Sequence, residues 1–529
     1  MWEVRPQIGV NMSVTEIILK EEWDKIDWIE VETSIFQLQK RIYKASISEN
    51  IPALRRLQKL LLSSRRAKLL AVKQVFELPA REGAIAGIDG VKDLSSRQCW
   101  DLARDLEISP KCSAPRRLYL SELGGKEGDP LKVPTMFDRA VQALILLALE
   151  PEWEARFDPN SYAYRPGRSL HDALKAIWLA IAPQPQYFLT VDLAFCFNEV
   201  NYLLLLDRFN TFPKLRRQLK ILLKKGVIDW NLWGKRKQHG VEFEKAAIGQ
   251  IITPFLVNVF FQGMEEYLKK DFESTANPVK VVRYADDLVL FSTDLKALEK
   301  CRGLLYKFLE NIGLKFNDSQ SHLGHTLEEF GSNKPGFDFQ TYNIRQFSTK
   351  LKACGFTTQI APSKDEFKQH YRELADLVKS CNAKTQGQLI GRLNPIIRNW
   401  CRERSFWNSS KIFNKLDYQL HQRLWRWGIR RHPKKGKKWI ASKYWHTIGD
   451  SKWVFAAFEE GKKSIHLLKH TQFGAGKRWH QIDPIRSPFD SDEDGYWQQR
   501  ISLSEIYYPR YRSTVQVKGT SRVLRSRVR

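Results

Sequence analysis

Cysteine is scarce in this chain and poorly placed for metal binding. The seven present (Cys99, Cys112, Cys196, Cys301, Cys354, Cys381 and Cys401) never stand at Cys-x-x-Cys spacing. A structural zinc site is therefore not expected, and an odd, scattered set suits reduced thiols in an intracellular compartment. Long apolar runs are also missing: no segment reaches the ~18 uncharged apolar residues that cross a bilayer. The opening MWEVRPQIGVNMSVTE lacks the basic stretch and apolar run of an export signal, so neither export nor membrane anchoring is expected. No internal repeat of fixed period indicates a solenoid. Acid is in short supply as well, with 59 Asp and Glu against 86 Lys and Arg, a net charge of +27. Such a surplus repels itself unless a polyanion neutralises it, which makes nucleic acid the default partner. What is plentiful is apolar and aromatic material, 43% and 12% of residues with 17 Trp, and this excludes wholesale disorder. At about 100–200 residues per domain, 529 residues imply three or four folding units.

From Trp23 to Val75 apolar residues recur at helical steps (Ile35, Leu38, Ile42, then Leu54, Leu57, Leu61). Between them lie Arg55, Arg56, Lys59, Arg65, Arg66, Lys68 and Lys73, either a solvated helix face or an RNA-facing surface. GAIAGIDG (83–90) and GGKEGDP (124–130) read as loops ahead of a long apolar helix, Phe137 to Trp153. Tyr187–Phe197 is a buried-strand candidate, apolar on both faces apart from Asp192, and Val279–Ser292 reads as two such strands meeting at Asp286–Asp287. Past about residue 345 the alternation fades and helical spacing returns. Gly, Pro, Asp and Ser cluster from about 470, and the last twenty residues hold seven Lys or Arg and no acid.

Phosphoryl transfer to a nucleic-acid hydroxyl uses two magnesium ions about 4 Å apart, held by rigid carboxylate oxygens. Asp192, Asp286 and Asp287 are candidates because a carboxylate in an apolar strand is costly to bury unless a metal or hydrogen bonds compensate it. Taken singly, Asp286–Asp287 also fits an ordinary hairpin turn and Asp192 a strand end. Together, 94 residues apart, they suit a central strand that brings its acid beside a hairpin, as in polymerase palms.

Tyr284-Ala285-Asp286-Asp287 is the YADD box of reverse transcriptases, and the chain resembles the group II intron reverse transcriptase and maturase family over nearly its whole length. LQKRIYKAS (38–46) and AKLLAVKQV (67–75) resemble its N-terminal RNA-binding extension. VPTMFDRAVQALILLALEP (133–151) and NSYAYRPGRSLHDAL (160–174) resemble its fingers, and ITPFLVNV (252–259) its palm helix. LIGRLNPIIRNW (389–400), FNKLDYQLHQRLWRWGIRRHPKKGKKW (413–439) and SPFD…YWQQR (487–500) resemble the maturase domain and its flank. The resemblance implies an α+β polymerase right hand, fingers and palm with an antiparallel sheet, followed by an α-helical thumb and maturase domain. It divides the chain at 1–80 (N-terminal extension), 81–345 (fingers and palm), 346–470 (thumb and maturase) and 471–529 (C-terminal basic region). It makes Asp192, Asp286 and Asp287 the Mg2+-binding triad. Arg165 and Arg168 become phosphate contacts through bidentate geometry, or else members of a structural ion pair.

Three departures bear on the nucleotide pocket. The family's triphosphate-binding Arg-Pro-Leu is replaced by Asp129-Pro130-Leu131, its Pro-Gln-Gly-Gly loop by Ala247-Ile248-Gly249-Gln250, and a late Glu-Lys-Thr by Ser319-Gln320-Ser321. Exchanging Arg for Asp forfeits a charge-assisted contact of roughly 1.5–3 kcal/mol and adds repulsion. Deoxynucleotide binding, and with it polymerase activity, is expected to be reduced.

Residues 392–443 hold fifteen Lys or Arg against Glu403 and Asp417, interleaved with Trp400, Trp407, Trp425, Trp427 and Trp439. Cations hold phosphates and aromatics can stack unpaired bases. Helical spacing points Leu416, Leu420, Leu424 and Trp427 inward and Arg423, Arg426, Arg430 and Arg431 outward. RRHPKKGKK (430–438), with Lys434, Lys435, Lys437 and Lys438, reads as an exposed phosphate-binding loop. By resemblance the chain is a maturase that binds intron RNA and assists its splicing. The alternatives are a fully active reverse transcriptase for intron mobility, with a DNA target or cDNA as further partner, and a reverse transcriptase recruited to another host task. Mobile relatives often end in an HNH nuclease with Cys and His ligands. After Gln499 the chain has neither, so DNA cleavage by the protein is not expected. A bacterial cytoplasm or a chloroplast stroma, for a plastid-encoded chain, is the expected location.

Overall fold

In a computed structural model of the chain the residues described are 23–77, 94–108, 116–118, 131–193, 202–224, 251–272, 278–314, 321–458, 464–474, 476, 479–490, 495–497 and 500. Helices come first. Trp28–Ile47 starts where the Asp27 carboxylate accepts from the Ile29 and Glu30 amides, and Ile51–Ser63 starts where Asn50 accepts from Ala53 N with Pro52 in the first turn. With Arg65–Glu77 they pack on Met136–Glu154. The middle of that helix is apolar all round, and apart from half-buried Phe137 its residues are buried, including Asp138, Arg139, Gln142, Glu150, Glu152 and Glu154 near its ends.

Pro151 sits inside this helix and has no N–H to offer the Leu147 carbonyl. Gln39 Nε2 donates to Leu147 O instead, at 2.9 Å, and Gln58 Nε2 donates to the next carbonyl, Ala148 O, at 3.1 Å. Ser46 Oγ donates to Glu152 O at 2.9 Å, and the buried Glu152 carboxylate accepts from Arg55 and Gln58. The N-terminal helices are thus bonded to the backbone that the proline leaves open.

β1 (Arg116–Leu118) and β2 (Leu131–Val133) form a small antiparallel ribbon. The central sheet has the order β4-β5-β3-β6, with β3 Tyr187–Asp192, β4 Lys280–Tyr284, β5 Asp287–Ser292 and β6 Ser321–His325, and every pair is antiparallel. Side chains alternate across a strand. Leu189, Val191, Val281, Leu288 and Leu290 enter one core with helix Leu295–Asn311, while Phe188, Val282, Val289 and Phe291 enter a second with helix Leu170–Ile181. The sheet is covered on both faces, which explains strands without a polar side.

The chain does not turn helical at 345. β7 (Phe337–Phe339), β8 (Tyr342–Ser348) and β9 (Phe356–Pro362) make a third antiparallel sheet across that position. FTTQIAP is half polar and only partly buried, so its apolar alternation is weak. Helices resume after Ser363 caps Lys364–Ser380, followed by Gln386–Arg404, Ser410–Arg431 and Lys437–Tyr444. Another small sheet follows: β10 (Trp445–Ile448), β11 (Ser451–Ala457) and β12 (Ile465–His466). The result is a mixed α+β structure with antiparallel sheets. Among the described residues no helix is long and apolar enough to cross a membrane.

Residues 479–500, where described, fold back onto the 160–172 block. Trp479 Nε1 donates to Asp172 at 2.9 Å, Arg500 pairs with the same buried carboxylate, and the Trp497 ring lies where a Cβ on Gly167 would be 2.5 Å away. Gly167 also has φ +71, so glycine is required there twice over. Trp407 Nε1 donates to His171 Nδ1 at 2.9 Å. Burial, helped by Arg404, pulls His171 down to about 3 and keeps its ring a neutral acceptor.

Candidate metal centre and nucleic-acid interface

β3 and β5 pair in register so that Asp192, the last residue of β3, stands opposite Asp287, the first of β5. Asp286 lies in the two-residue turn between β4 and β5, since Tyr284 pairs with Asp287. One oxygen from each of the three carboxylates can be chosen so that all lie within 4.8 Å of one another, inside the ~10 Å limit that shared ions allow. The turn carries strain: Ala285 has φ +56, a region non-glycine residues seldom adopt.

Arg283 holds that turn from below. Nη1 donates to Ala285 O at 2.8 Å and to Asn258 Oδ1 at 3.0 Å, and Nη2 donates to Ser161 Oγ at 2.6 Å. Burial, the largest influence, lowers this guanidinium to about 10. Its backbone also pairs with the 160–162 segment, Arg283 N to Asn160 O and Tyr162 N to Arg283 O. On the outer side Gln340 Nε2 donates to Asp287 Oδ2. None of Ser161, Asn258, Arg283 and Gln340 stood out in the sequence. Arg283 could have been found, because a cation in VVRYADD is as anomalous as Asp192 in its own strand.

Arg165 and Arg168 take the structural alternative. Arg165 makes a bidentate pair with Glu154 (2.8 and 2.9 Å) and donates to Asp158 O and Ser161 O, with 2% of its side chain exposed. Arg168 donates to the carbonyls of Pro159 and Pro484 and is equally buried. The donors of Arg165 and the two terminal nitrogens of Arg168 are turned to protein acceptors, so both side chains brace the 158–168 segment.

Leu416, Leu420, Leu424 and Trp427 are buried as helical spacing requires, and Arg426 and Arg430 are exposed, with Arg423 half-buried. Arg431 is half-committed: its guanidinium lies over Trp427 at 4.6 Å and donates to the carbonyls of Asn382 and Lys384. The stretch 430–438 is not one loop. Arg430 and Arg431 close a helix, residues 432–436 turn, and Lys437 and Lys438 open the next helix. Lys434, Lys435, Lys437 and Lys438 are all exposed. Trp439, 37% exposed, carries the Lys435 and Lys443 ammoniums at 5.4 and 5.0 Å. Trp400 and Trp407 are buried and serve the core.

Residues 23–106 match the N-terminal domain of reverse transcriptase, residues 129–358 reverse transcriptase (RNA-dependent DNA polymerase), and residues 367–445 the group II intron maturase-specific domain. The chain belongs to the group II intron reverse transcriptase and maturase family. Maturase-like protein 1 of Euglena longa is 24% identical over 410 residues, covering 75% of this chain and 80% of that protein. Protein YkfC of Escherichia coli (strain K12) is 28% identical over 341 residues, 56% of this chain and 86% of its own length. Group II intron-encoded protein LtrA of Lactococcus lactis subsp. cremoris is 26% identical over 157 residues, 29% of this chain and 25% of that protein. In family terms the acidic cluster lies in the reverse transcriptase domain and suits metal binding. The cations from Arg392 to Lys443 lie in the maturase-specific domain. Asp129, Gln250, Ser319 and Gln320, expected from the sequence to alter the nucleotide-pocket motifs, lie outside the described residues.

Proposed function

We propose that the chain is a group II intron maturase, a protein that binds intron RNA and assists its splicing, built on a reverse transcriptase right hand with reduced polymerase activity. The observation that carries this reading is the exposed basic face of the maturase-specific domain, Arg426, Arg430, Lys434, Lys435, Lys437 and Lys438 over a buried Leu and Trp core. Such a face holds phosphates by releasing counterions. The protein then acts by differential binding: it favours the RNA conformation that fits this surface, and the RNA performs the transesterification.

On this reading the N-terminal extension runs to about residue 80 and the fingers and palm follow. The thumb and maturase unit begins at Ser363, where the sheet β7–β9 ends. The described residues from 479 to 500 dock on the fingers block. Intron RNA is the partner, and a bacterial cytoplasm or a chloroplast stroma is the setting. Asp192, Asp286 and Asp287 fit Mg2+: three hard oxygen donors of like charge converge within 4.8 Å, and cations would relieve their repulsion. Bound there, the ions would neutralise charge on transferring phosphates. Arg283 fixes the turn that carries Asp286. With Asp129 where the family has Arg, primer extension on an RNA template with all four deoxynucleotides is expected to be weak.

The intact triad on paired strands favours a second reading, a fully active reverse transcriptase for intron mobility with a DNA target or cDNA as partner. Splicing assays separate the two. Replacing Arg430, Lys434, Lys435 and Lys438 by Ala should weaken intron binding and lower the slope of log affinity against log salt by about 3, at roughly 0.7–0.9 per phosphate contact. Arg431 is spared because it also braces Asn382 and Lys384. Asp286→Asn with Asp287→Asn should leave protein-assisted splicing nearly intact. If the Asn pair abolishes splicing while the four-Ala variant splices and keeps its salt slope, the maturase reading is wrong.

A further inference from the structure

The β10–β11 hairpin begins where the match to the maturase-specific domain ends, at residue 445. Trp445 pairs with Phe455 and His446 with Val454, but the next pair is Ile448 with Ser451. Thr447 on β10 therefore opposes two residues on β11, Lys452 and Trp453. This is a β-bulge, a device that re-aims side chains and recurs beside functional sites. Trp453 has φ +59, a left-handed backbone that a bulky residue rarely adopts. It is also 58% exposed, the most exposed Trp among the described residues.

These two facts belong together. A strained backbone persists when the surroundings over-determine it, and Val454, Phe455 and Ala456, all buried, anchor the strand directly after the bulge. The side chain that the strain presents contributes little to the core. Beside it Lys452 is exposed, and nearby Phe458 is 62% exposed, its ring meeting His446 edge-on at 4.9 Å. From Arg430 to Lys463 ten Lys or Arg stand against three acids, Asp450, Glu459 and Glu460.

We propose that the Lys452–Trp453 bulge is a stacking site for an unpaired RNA base, with the Trp453 indole against the base and the Lys452 ammonium on the adjoining phosphate. The inference rests on the maturase reading and extends its interface past residue 445. An indole beside a cation is how single-stranded nucleic acid is held without sequence preference. The excess of cations over acids in this stretch, ten against three, favours a polyanion over a protein surface of ordinary charge.

The test is the affinity of the full chain for a short, unstructured oligoribonucleotide, measured against salt by fluorescence anisotropy, with the same sequence as a duplex for comparison. Trp453→Ala should weaken single-strand binding by roughly 5- to 150-fold, the span of one base stack, with an unchanged salt slope and little effect on the duplex. Trp453→Phe should keep most of the affinity, and Lys452→Ala should lower the slope by about 0.7. Trp453→Gly gives the second readout: it removes the left-handed strain, so the melting temperature should rise while single-strand affinity falls as for Ala. Wild-type affinity in Trp453→Ala and Trp453→Gly, with affinity lost in the Arg430, Lys434, Lys435 and Lys438 variant, would overturn the stacking site and leave the maturase reading standing. That outcome would point to a protein partner at the bulge. Equal losses on single strand and duplex would also overturn it. RNA affinity intact in every variant would overturn both.

Discussion

Gln39→Leu removes the side chain that donates to Leu147 O, a carbonyl that Pro151 cannot serve. Gln39 and Leu147 are both buried, so water does not replace the bond, and an unsatisfied buried acceptor costs about 1–3 kcal/mol. A protein of several units does not unfold in one step, so a global unfolding free energy is the wrong measure. Local opening is the right one. Amide exchange at residues 140–154, read by mass spectrometry where opening is fast, should speed up roughly 5- to 150-fold, the same energy expressed as a population. The decisive arm is the double-mutant cycle. In Pro151→Ala the new amide can donate to Leu147 O, so adding Gln39→Leu removes a bond to a carbonyl already served. The glutamine substitution should then be almost silent, with a coupling of about 1–2 kcal/mol between the two sites. A Gln39→Leu effect of the same size in both backgrounds would refute the idea that the extension is bonded to the proline-opened backbone. Function enters because Arg55 and Gln58, on the next helix, converge on Glu152 one residue past the proline. Loosening this seam should therefore also loosen any RNA held by the cations of those helices.

Arg165→Met takes its bidentate partner from the Glu154 carboxylate, 1% exposed, and leaves it only Arg168 Nε at 3.9 Å; local stability should fall by about 3–5 kcal/mol, read as faster amide exchange at residues 154–168, with Glu154→Gln added to it recovering most of the loss. At Ala285, Gly should be tolerated within about 1 kcal/mol, whereas Val, β-branched at φ +56, should lower stability by at least ~2 kcal/mol in the same assay. His171, held at about 3 by burial and Arg404, and His370, held at about 2 by burial, His470 and Arg404, are neutral when folded but titrate near 6.5 when unfolded. The unfolded chain binds the extra protons, so each ring's stabilisation is complete above about pH 6.5. It is lost at about 1.4 kcal/mol per pH unit below that, down to the folded value. Melting temperature should therefore fall between pH 7 and 5, and His171→Gln, which keeps an acceptor for Trp407, should flatten the fall. A pH-independent melting temperature over that range would contradict the burial of both rings.

The acidic triad was legible because its anomaly is local: an acid inside YFLTVDL and a pair between VVRYA and LVLFS break the apolar text where they stand. The long buried helix at 136–154 and the inward Leu and Trp of 410–431 were legible for the same reason, since periodicity belongs to one element. Partnership does not. The sequence around Arg165 reads the same whether its guanidinium meets a phosphate or Glu154, and the acceptor that fixes Arg168, Pro484 O, lies 316 residues further along the chain. Trp407 reads as part of a basic, tryptophan-rich RNA surface, yet it is buried because His171, 236 residues away, offers Nδ1. Nothing local separates these outcomes, because the desolvation that decides them depends on which distant segment covers the side chain. Trp453 is the converse case. Its positive φ and exposure follow from a one-residue mismatch between two strands, and the mismatch appears only when the pairing register is known. A cation or an aromatic in a basic stretch therefore becomes a nucleic-acid contact only after the fold has failed to use it. On that criterion the fold already uses Arg165, Arg168, Trp400 and Trp407, while Arg430, Lys434, Lys435, Lys438 and Trp453 stay exposed and available to the proposed interface.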